Sequence, residues 1–253
     1  MAEKILKDLI NLSRTLGDPK HDYAILGEGN TSARINQDTF YVKASGTALS
    51  TLQDIDVVTV SFDRVYDMFA NGAMGDGEIL EGLKSAKTNQ KNQGMPSVET
   101  FLHAVLYRLN GINFIGHTHP TAINAVLCSQ YAADAYSGSL FPDQIVYCGP
   151  APVYVNYTDP GLPLAHAVWE ATTEYCDKWG QAPKTILMQN HGFIALGKSA
   201  KEVINITQMS VKVATVIAGA YAMGGPNFLS PDSLERIHTR PDEHYRQSLW
   251  DMR

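Results

Sequence analysis

Cysteine is scarce in this sequence: Cys128, Cys148 and Cys176 are its three, widely spaced and forming no CxxC pair. An odd, scattered set builds no disulfide framework and fits a reducing, cytoplasmic setting. An excess of basic charge is also missing, with 20 Lys and Arg against 26 Asp and Glu and a formal charge of −6. The electrostatic footprint that nucleic acid requires is therefore absent. The longest apolar stretch toward the C-terminus, 203–222, is broken by Asn205, Gln208 and Lys212, which argues against a membrane span. The opening Met1-Ala2-Glu3-Lys4-Ile5-Leu6 has no signal-peptide core. No internal repeat, low-complexity tract or long Pro/Gly/Ser linker divides the chain. What is present is ordinary globular material, 253 residues with 44% hydrophobic and 18% charged. The expectation is one domain over 1–253, with 226–253 as a C-terminal helical extension.

Apolar spacing places the elements. Ile5, Leu6, Leu9, Ile10 and Leu12 predict a helix over Glu3 to Leu16, stopped near Gly17. Short strands are expected at Thr31 to Ile35, Phe40 to Lys43 and Val57 to Ser61. The stretch from Ala70 to Gly94 is rich in glycine, and Glu78 to Leu83 reads as strand or loop rather than helix. Pro96-Ser97 opens a helix whose Phe101, Leu102, Val105, Leu106 and Leu109 form one stripe ending at Asn110-Gly111. Further helices are expected from Thr121 to Ser129, Leu162 to Trp179 and Lys201 to Met223, and Phe141-Pro142-Asp143 reads as loop. Between the last two helices, Lys184 to Leu196 forms a pair of apolar runs broken at Gln189-Asn190-His191-Gly192. Alternating helices and strands favour an α/β layered fold.

One step in this pattern carries chemistry. His117-Thr118-His119 closes the apolar run 112–116 and is stopped by Pro120. Alternate side chains of a strand share a face, so both imidazoles can reach one ion. His191, at the glycine-containing break between two apolar runs, is a third imidazole candidate. Glu99 opens the helix that precedes the HxH strand, and the short turn at Asn110-Gly111 folds that helix back along the strand. Three imidazoles and a carboxylate suit zinc, with manganese or cobalt as alternatives. A structural reading stays open at each position, because the helix dipole alone favours Glu99 and strand-end histidines are commonly hydrogen-bonded structural groups. His21, His103, His166, His238 and His244 are assigned structural roles, although His103 lies at i+4 from Glu99 and is placed to orient it.

Other metal architectures fail on the sequence. A cupin wants a carboxylate soon after HxH, and Thr121 to Leu127 has none. A zincin wants HExxH, which does not occur. A barrel amidohydrolase puts HxH near the N-terminus. Gly27-x-Gly29 fails as a dinucleotide fingerprint, since Ser32 stands where the third glycine belongs.

Five blocks in order, Gly29-Asn30-Thr31-Ser32-Ala33-Arg34, Lys43-Ala44-Ser45-Gly46, Pro96-Ser97-Val98-Glu99, His117-Thr118-His119-Pro120 and Asn190-His191-Gly192-Phe193-Ile194-Ala195, resemble the class II aldolase/adducin family. The resemblance runs from residue 5 to 222. It implies a three-layer α/β/α sandwich around a mixed, largely antiparallel sheet, and a metal held by His117, His119, His191 and Glu99. Glu99 then doubles as the acid–base group. Asn30, Ser45, Gly46 and Ser97 match positions that hold a substrate phosphate, and Lys43 is an added cation near them. Val98 departs from the fuculose-type pattern, which has a second serine there, and this leaves a carboxylate as an alternative handle.

The implied reaction is cleavage of a small ketose, free or phosphorylated, to a ketone and an aldehyde through a zinc-stabilised enediolate. Decarboxylation of an oxo acid and 4-epimerisation of a sugar phosphate are the neighbouring chemistries. A tyrosine supplies the second proton in the family, from a neighbouring subunit of a homotetramer with interfacial sites, and Tyr136 and Tyr245 are the candidates here. An adducin-like module without catalysis would dispense with the ligand set that this chain keeps.

Overall fold

The computed structural model of the protein describes residues 1–72 and 74–242. Helix α1 (Ala2–Leu16) leads into strands β1 (Asn30–Arg34), β2 (Thr39–Lys43) and β3 (Val57–Ser61). Helices α2 (Phe62–Asn71), α3 (Asp76–Ala86) and α4 (Thr100–Leu106) precede β4 (Phe114–Thr118). Then follow α5 (Thr121–Leu127), α6 (Ala132–Ala135), α7 (Pro142–Cys148), β5 (Val153–Val155) and α8 (Leu162–Trp179). The hairpin β6 (Thr185–Met188) and β7 (Gly192–Gly197), the long α9 (Ala200–Ala222) and α10 (Pro231–His238) complete the described chain.

The strands form one seven-stranded sheet in the order β3-β2-β1-β4-β7-β6-β5. Every pair is antiparallel except β5 with β6, so the sheet is mixed and largely antiparallel, as expected. Side chains alternate across it because the strand period is two. On β4 and β7, Ile115, Ile194 and Leu196 join a core with Phe101, Leu102 and Val105 of α4. Their neighbours Phe114, Phe193 and Ala195 join a second core with Leu9, Leu12, Val203 and Ile206. Helices α2, α4 and α8 thus cover one face, and α1, α5 and α9 the other. Each large apolar side chain so buried stabilises the fold by about 1.5–3 kcal/mol.

Gly116 shows how closely these layers meet, since a Cβ there would lie 2.8 Å from both Leu16 and Val203. α9 is long and apolar enough to cross a membrane by length and composition. Here it lies along the sheet and buries Val203, Ile206, Val213, Ala214 and Ile217.

Two expectations are corrected. The segment Glu78 to Leu83 lies inside helix α3 rather than in a strand or loop. The Glu78 carboxylate accepts from the Gly75 amide at 2.9 Å and caps the helix start, and Gly82 is an approach point, where a Cβ would meet Sδ of Met68 at 2.2 Å. Glycine serves helix packing there. Phe141-Pro142-Asp143 opens α7, with proline in its first turn. The C-terminal segment begins as the surface helix α10, which has no buried residue.

Candidate metal centre

The site stands at one end of β4. His117 is fully buried on the α4 side of the sheet and pairs in register with Asn30 of β1 and Ile194 of β7. His119 lies just past the strand, its amide donating to the Tyr23 carbonyl at 2.9 Å. His191 sits in the β6–β7 turn, where Asn190 adopts a left-handed φ of 54°, a conformation that asparagine tolerates better than most residues. Glu99 is the residue before α4, with φ −74° and ψ −4°. Gly192 leaves the imidazoles their space. A Cβ on it would come within 2.6 Å of the His119 ring and 3.1 Å of the His117 ring.

The ligand atoms of His117, His119 and His191 all lie within 4.8 Å of one another. Nε2 of His119 is 3.0 Å from Nε2 of His117. Oε1 of Glu99 is 3.4 Å from Nε2 of His117 and 3.1 Å from Nε2 of His191. The outer nitrogen of His117, Nδ1, donates to the Phe193 carbonyl at 3.0 Å, which turns Nε2 inward as a lone-pair donor. Nδ1 of His119 faces Glu28 Oε1 at 3.9 Å. Asn124 ties the His191 carbonyl at 3.1 Å, while Nδ1 of His191 is buried without a partner.

This arrangement fits a divalent ion. Inward lone pairs repel one another unless a cation lies among them, and three imidazoles with one carboxylate are a zinc-type donor set. Without an ion, protons take that role. Burial disfavours the charge on Glu99, but His117 and His191 outweigh it and hold the carboxyl well below its usual range. Burial likewise opposes charge on His117, yet Glu99 and the Phe193 carbonyl raise its pKa. His119 is pushed down to about 3 by burial and by its two imidazole neighbours.

The residues expected around a substrate divide. Ser45 and Ser97 line a cleft of about 670 Å³ together with Met74, Met95, Val98 and Pro160. Ser97 Oγ is buried there without a partner, and Gly46, with φ +79°, shapes the turn after Ser45. Asp76 and Asp159 also line this cleft, and no lysine or arginine does among the described residues. Lys43 is 3% exposed, and its Nζ donates to the carbonyls of Thr47 at 2.6 Å and Ala44 at 3.3 Å. Burial lowers its pKa against the pull of Glu99 and Asp56. Asn30 is turned inward, its Nδ2 donating to Glu99 Oε2 and its Oδ1 facing His103 Nε2.

Tyr136 is not brought to the imidazoles in any described contact. Its hydroxyl is buried without a partner, in a separate small cavity beside Cys148, Thr185 and Ser210. Tyr245 and His244 lie outside the described residues. His21 stacks on Tyr23 and His166 on Phe69, in keeping with structural roles. His103 differs from the simple expectation, because it reaches Glu99 through Asn30 rather than directly.

Sequence reasoning missed Glu28, whose signal was its place between Gly27 and Gly29 in a turn pressed onto the HxH strand. A Cβ on Gly29 would lie 2.5 Å from the His117 carbonyl. It also missed Ser32, two residues from Asn30 on the inward face of β1, and Tyr107, one turn beyond His103 at the C-terminal end of α4.

Comparison with known proteins agrees with this geometry. The family model for the class II aldolase and adducin N-terminal domain matches residues 7–217. An L-fuculose phosphate aldolase of Methanococcus maripaludis is 24% identical over 212 residues, covering 83% of this chain and 93% of its own. The N-terminal class II aldolase domain of a conserved protein from Thermoplasma acidophilum superposes with a TM-score of 0.66 at 26% identity, over 84% of this chain and 93% of that one. YgbL of Klebsiella pneumoniae, whose name leaves aldolase, epimerase and decarboxylase open, gives a TM-score of 0.70 at 19% identity over 94% and 99% of the two chains. With a family match over most of its length and the family's fold, the chain belongs to the class II aldolase and adducin family.

Proposed function

We propose that the protein is a metal-dependent aldolase that breaks a carbon–carbon bond in a small ketose, with ketose phosphates the first substrate class. The observation that carries this reading is the convergence of His117, His119, His191 and Glu99 beside the cleft that holds Ser45 and Ser97. The substrate class is supported by the fuculose phosphate aldolase among its relatives. His117, His119, His191 and Glu99 would hold a divalent ion, zinc first and manganese or cobalt as alternatives, which would supply Lewis-acid polarisation of the substrate carbonyl.

The chain's own groups do the remaining work. Glu99 moves the proton at the reacting carbon through Oε1, the oxygen that faces the imidazoles. Ser45, Gly46 and Ser97 hold the distal end of the substrate, and the partnerless Ser97 hydroxyl has hydrogen-bonding capacity to give. Lys43 adds positive charge beneath the Ser45-Gly46 turn. Tyr245 is assigned the proton for the aldehyde oxygen, within a homotetramer with interfacial sites, and the enclosed hydroxyl of Tyr136 is left out of the reaction.

A screen of free and phosphorylated ketoses and 3-oxo acids with added zinc, manganese or cobalt tests this reading. Aldehyde release is the expected result, and His119→Ala loses it together with the ion. Full activity in metal-free protein overturns the proposal. Carbon dioxide release would assign a decarboxylase, and a stereoisomer without fragments a 4-epimerase, the other reactions that the name of YgbL leaves open.

A further inference from the structure

Beneath Glu99 a line of buried polar groups runs through the interface of β1 and α4. Asn30 Nδ2 donates to Glu99 Oε2, and Asn30 Oδ1 faces His103 Nε2. His103 Nδ1 is 2.7 Å from Ser32 Oγ. Ser32 Oγ is in turn 2.8 Å from the Tyr107 hydroxyl, which also reaches the Asn113 carbonyl at 3.5 Å. Ser32 and His103 are 0% exposed, Tyr107 2% and Asn30 4%. Solvent is not at hand to substitute for any member.

The directions of these bonds follow from donor and acceptor inventory. An ionised carboxylate only accepts, so Asn30 presents its NH₂ to Glu99 and its carbonyl to His103. That carbonyl needs a donor, so the proton of a neutral His103 sits on Nε2 and Nδ1 is bare. Ser32 then donates to Nδ1, and its oxygen accepts the single Tyr107 proton, because the 2.8 Å contact to Ser32 is far shorter than the 3.5 Å one to the Asn113 carbonyl. His103 is fully buried, its ring touches Asn30 and Ser32 rather than a carboxylate, and burial favours the neutral ring. Burial raises the Tyr107 pKa and keeps its hydroxyl a donor. The reverse arrangement would aim Asn30 Oδ1 at the Glu99 carboxylate, setting two acceptors against each other in a buried site.

We propose that Tyr107, Ser32 and His103 form a one-way hydrogen-bond relay that locks Asn30 as a donor to Oε2 of Glu99 and thereby reserves Oε1 for the imidazole cluster. The inference rests on Glu99 as the ligand and acid–base group. These are positioning residues: they act through Asn30 and touch no reacting atom. A carboxylate that must release an ion, carry a proton and return needs a fixed pivot, and the relay gives it one at Oε2.

The first test uses metal-free protein labelled with ¹⁵N-histidine, with the His103 signals assigned by their loss in His103→Gln. Long-range proton–nitrogen spectra are expected to show a protonated Nε2 and a bare Nδ1, unchanged between roughly pH 5 and pH 8, where an ordinary histidine titrates. A protonated Nδ1, or an imidazolium within that range, overturns the relay. This readout needs neither ion nor substrate, so its failure is separate from failure of the aldolase reading.

The second test is kinetic. Tyr107→Phe keeps the ring and removes the leading donor, and His103→Phe removes both nitrogens. Losses in kcat of about 10-fold and about 100-fold are expected, with metal content and KM nearly unchanged. Unchanged kcat in both variants, or losses that merely follow unfolding or loss of metal, overturns the proposal.

Discussion

Oε1 of Glu99 lies 3.1 Å from Nε2 of His191, although one residue opens a helix and the other tips a hairpin. The sheet makes this meeting. β4 lies between β1 and β7, so the strand that carries His117 and leads into His119 is flanked by the strand whose Asn30 binds Glu99 and by the strand that His191 introduces.

Gly192 is the point at which this geometry is most easily broken. In Gly192→Ala the new methyl group would crowd the His119 ring at 2.6 Å and the Thr118 carbonyl at 2.8 Å. We expect a fold retained at a cost of about 1–3 kcal/mol. Metal analysis of the purified variant should show little bound ion, and full metal content with unchanged activity would refute the crowding argument.

Glu28 gives a milder test. Its Oε1 faces Nδ1 of His119 across 3.9 Å while Oε2 accepts from the Ile25 amide at 3.0 Å, and its side chain is 39% exposed, so its charge acts on the ligand at a distance and it contributes little to packing. Glu28→Gln should weaken metal affinity by about 10-fold and leave Tm nearly unchanged. Competition with a chelator of known affinity measures the first, and thermal melts the second.

His103 predicts a pH dependence. Its pKa falls from 6.5 to about 3 on folding, so below 6.5 the unfolded chain takes up a proton that the folded chain refuses. Stability from this group is full above 6.5 and is lost as pH falls, by up to about 1.4 kcal/mol per pH unit. Urea titrations of metal-free protein should therefore show a steeper acid-side decline than His103→Gln. Equal slopes would contradict a neutral, buried His103.

Tyr245 can be tested without structural detail. A chain ending at Asp242 retains every element described and lacks this tyrosine. Turnover should fall by about 100- to 10,000-fold, the usual scale for losing a general acid, with metal content intact. Unchanged turnover would remove the terminal segment from the reaction.

Much of this was legible in the sequence, for identifiable reasons. Helices α1, α8 and α9 carry apolar residues at helical spacing, and their limits fall within a residue of expectation. His117 and His119 were readable because strand periodicity puts both on one face, and His191 because a glycine break marks a strand end. α3 was misread because Gly82 serves approach to Met68, a contact that local propensity does not encode. Asn30 and Lys43 have the right residue types for holding a substrate. Their side chains turn instead to Glu99, His103 and backbone carbonyls, commitments set by tertiary neighbours.

The pairing of Asn30 with His117 across β1 and β4 has a consequence for assembly. A slip of one residue along that ladder would turn Asn30 and Ser32 to the far side of the sheet and bring Thr31 and Ala33 into their place. A misaligned sheet therefore leaves Glu99 without its Asn30 donor, and turnover regained by a refolding chain, rather than ion uptake, would report that β1 and β4 have found their register.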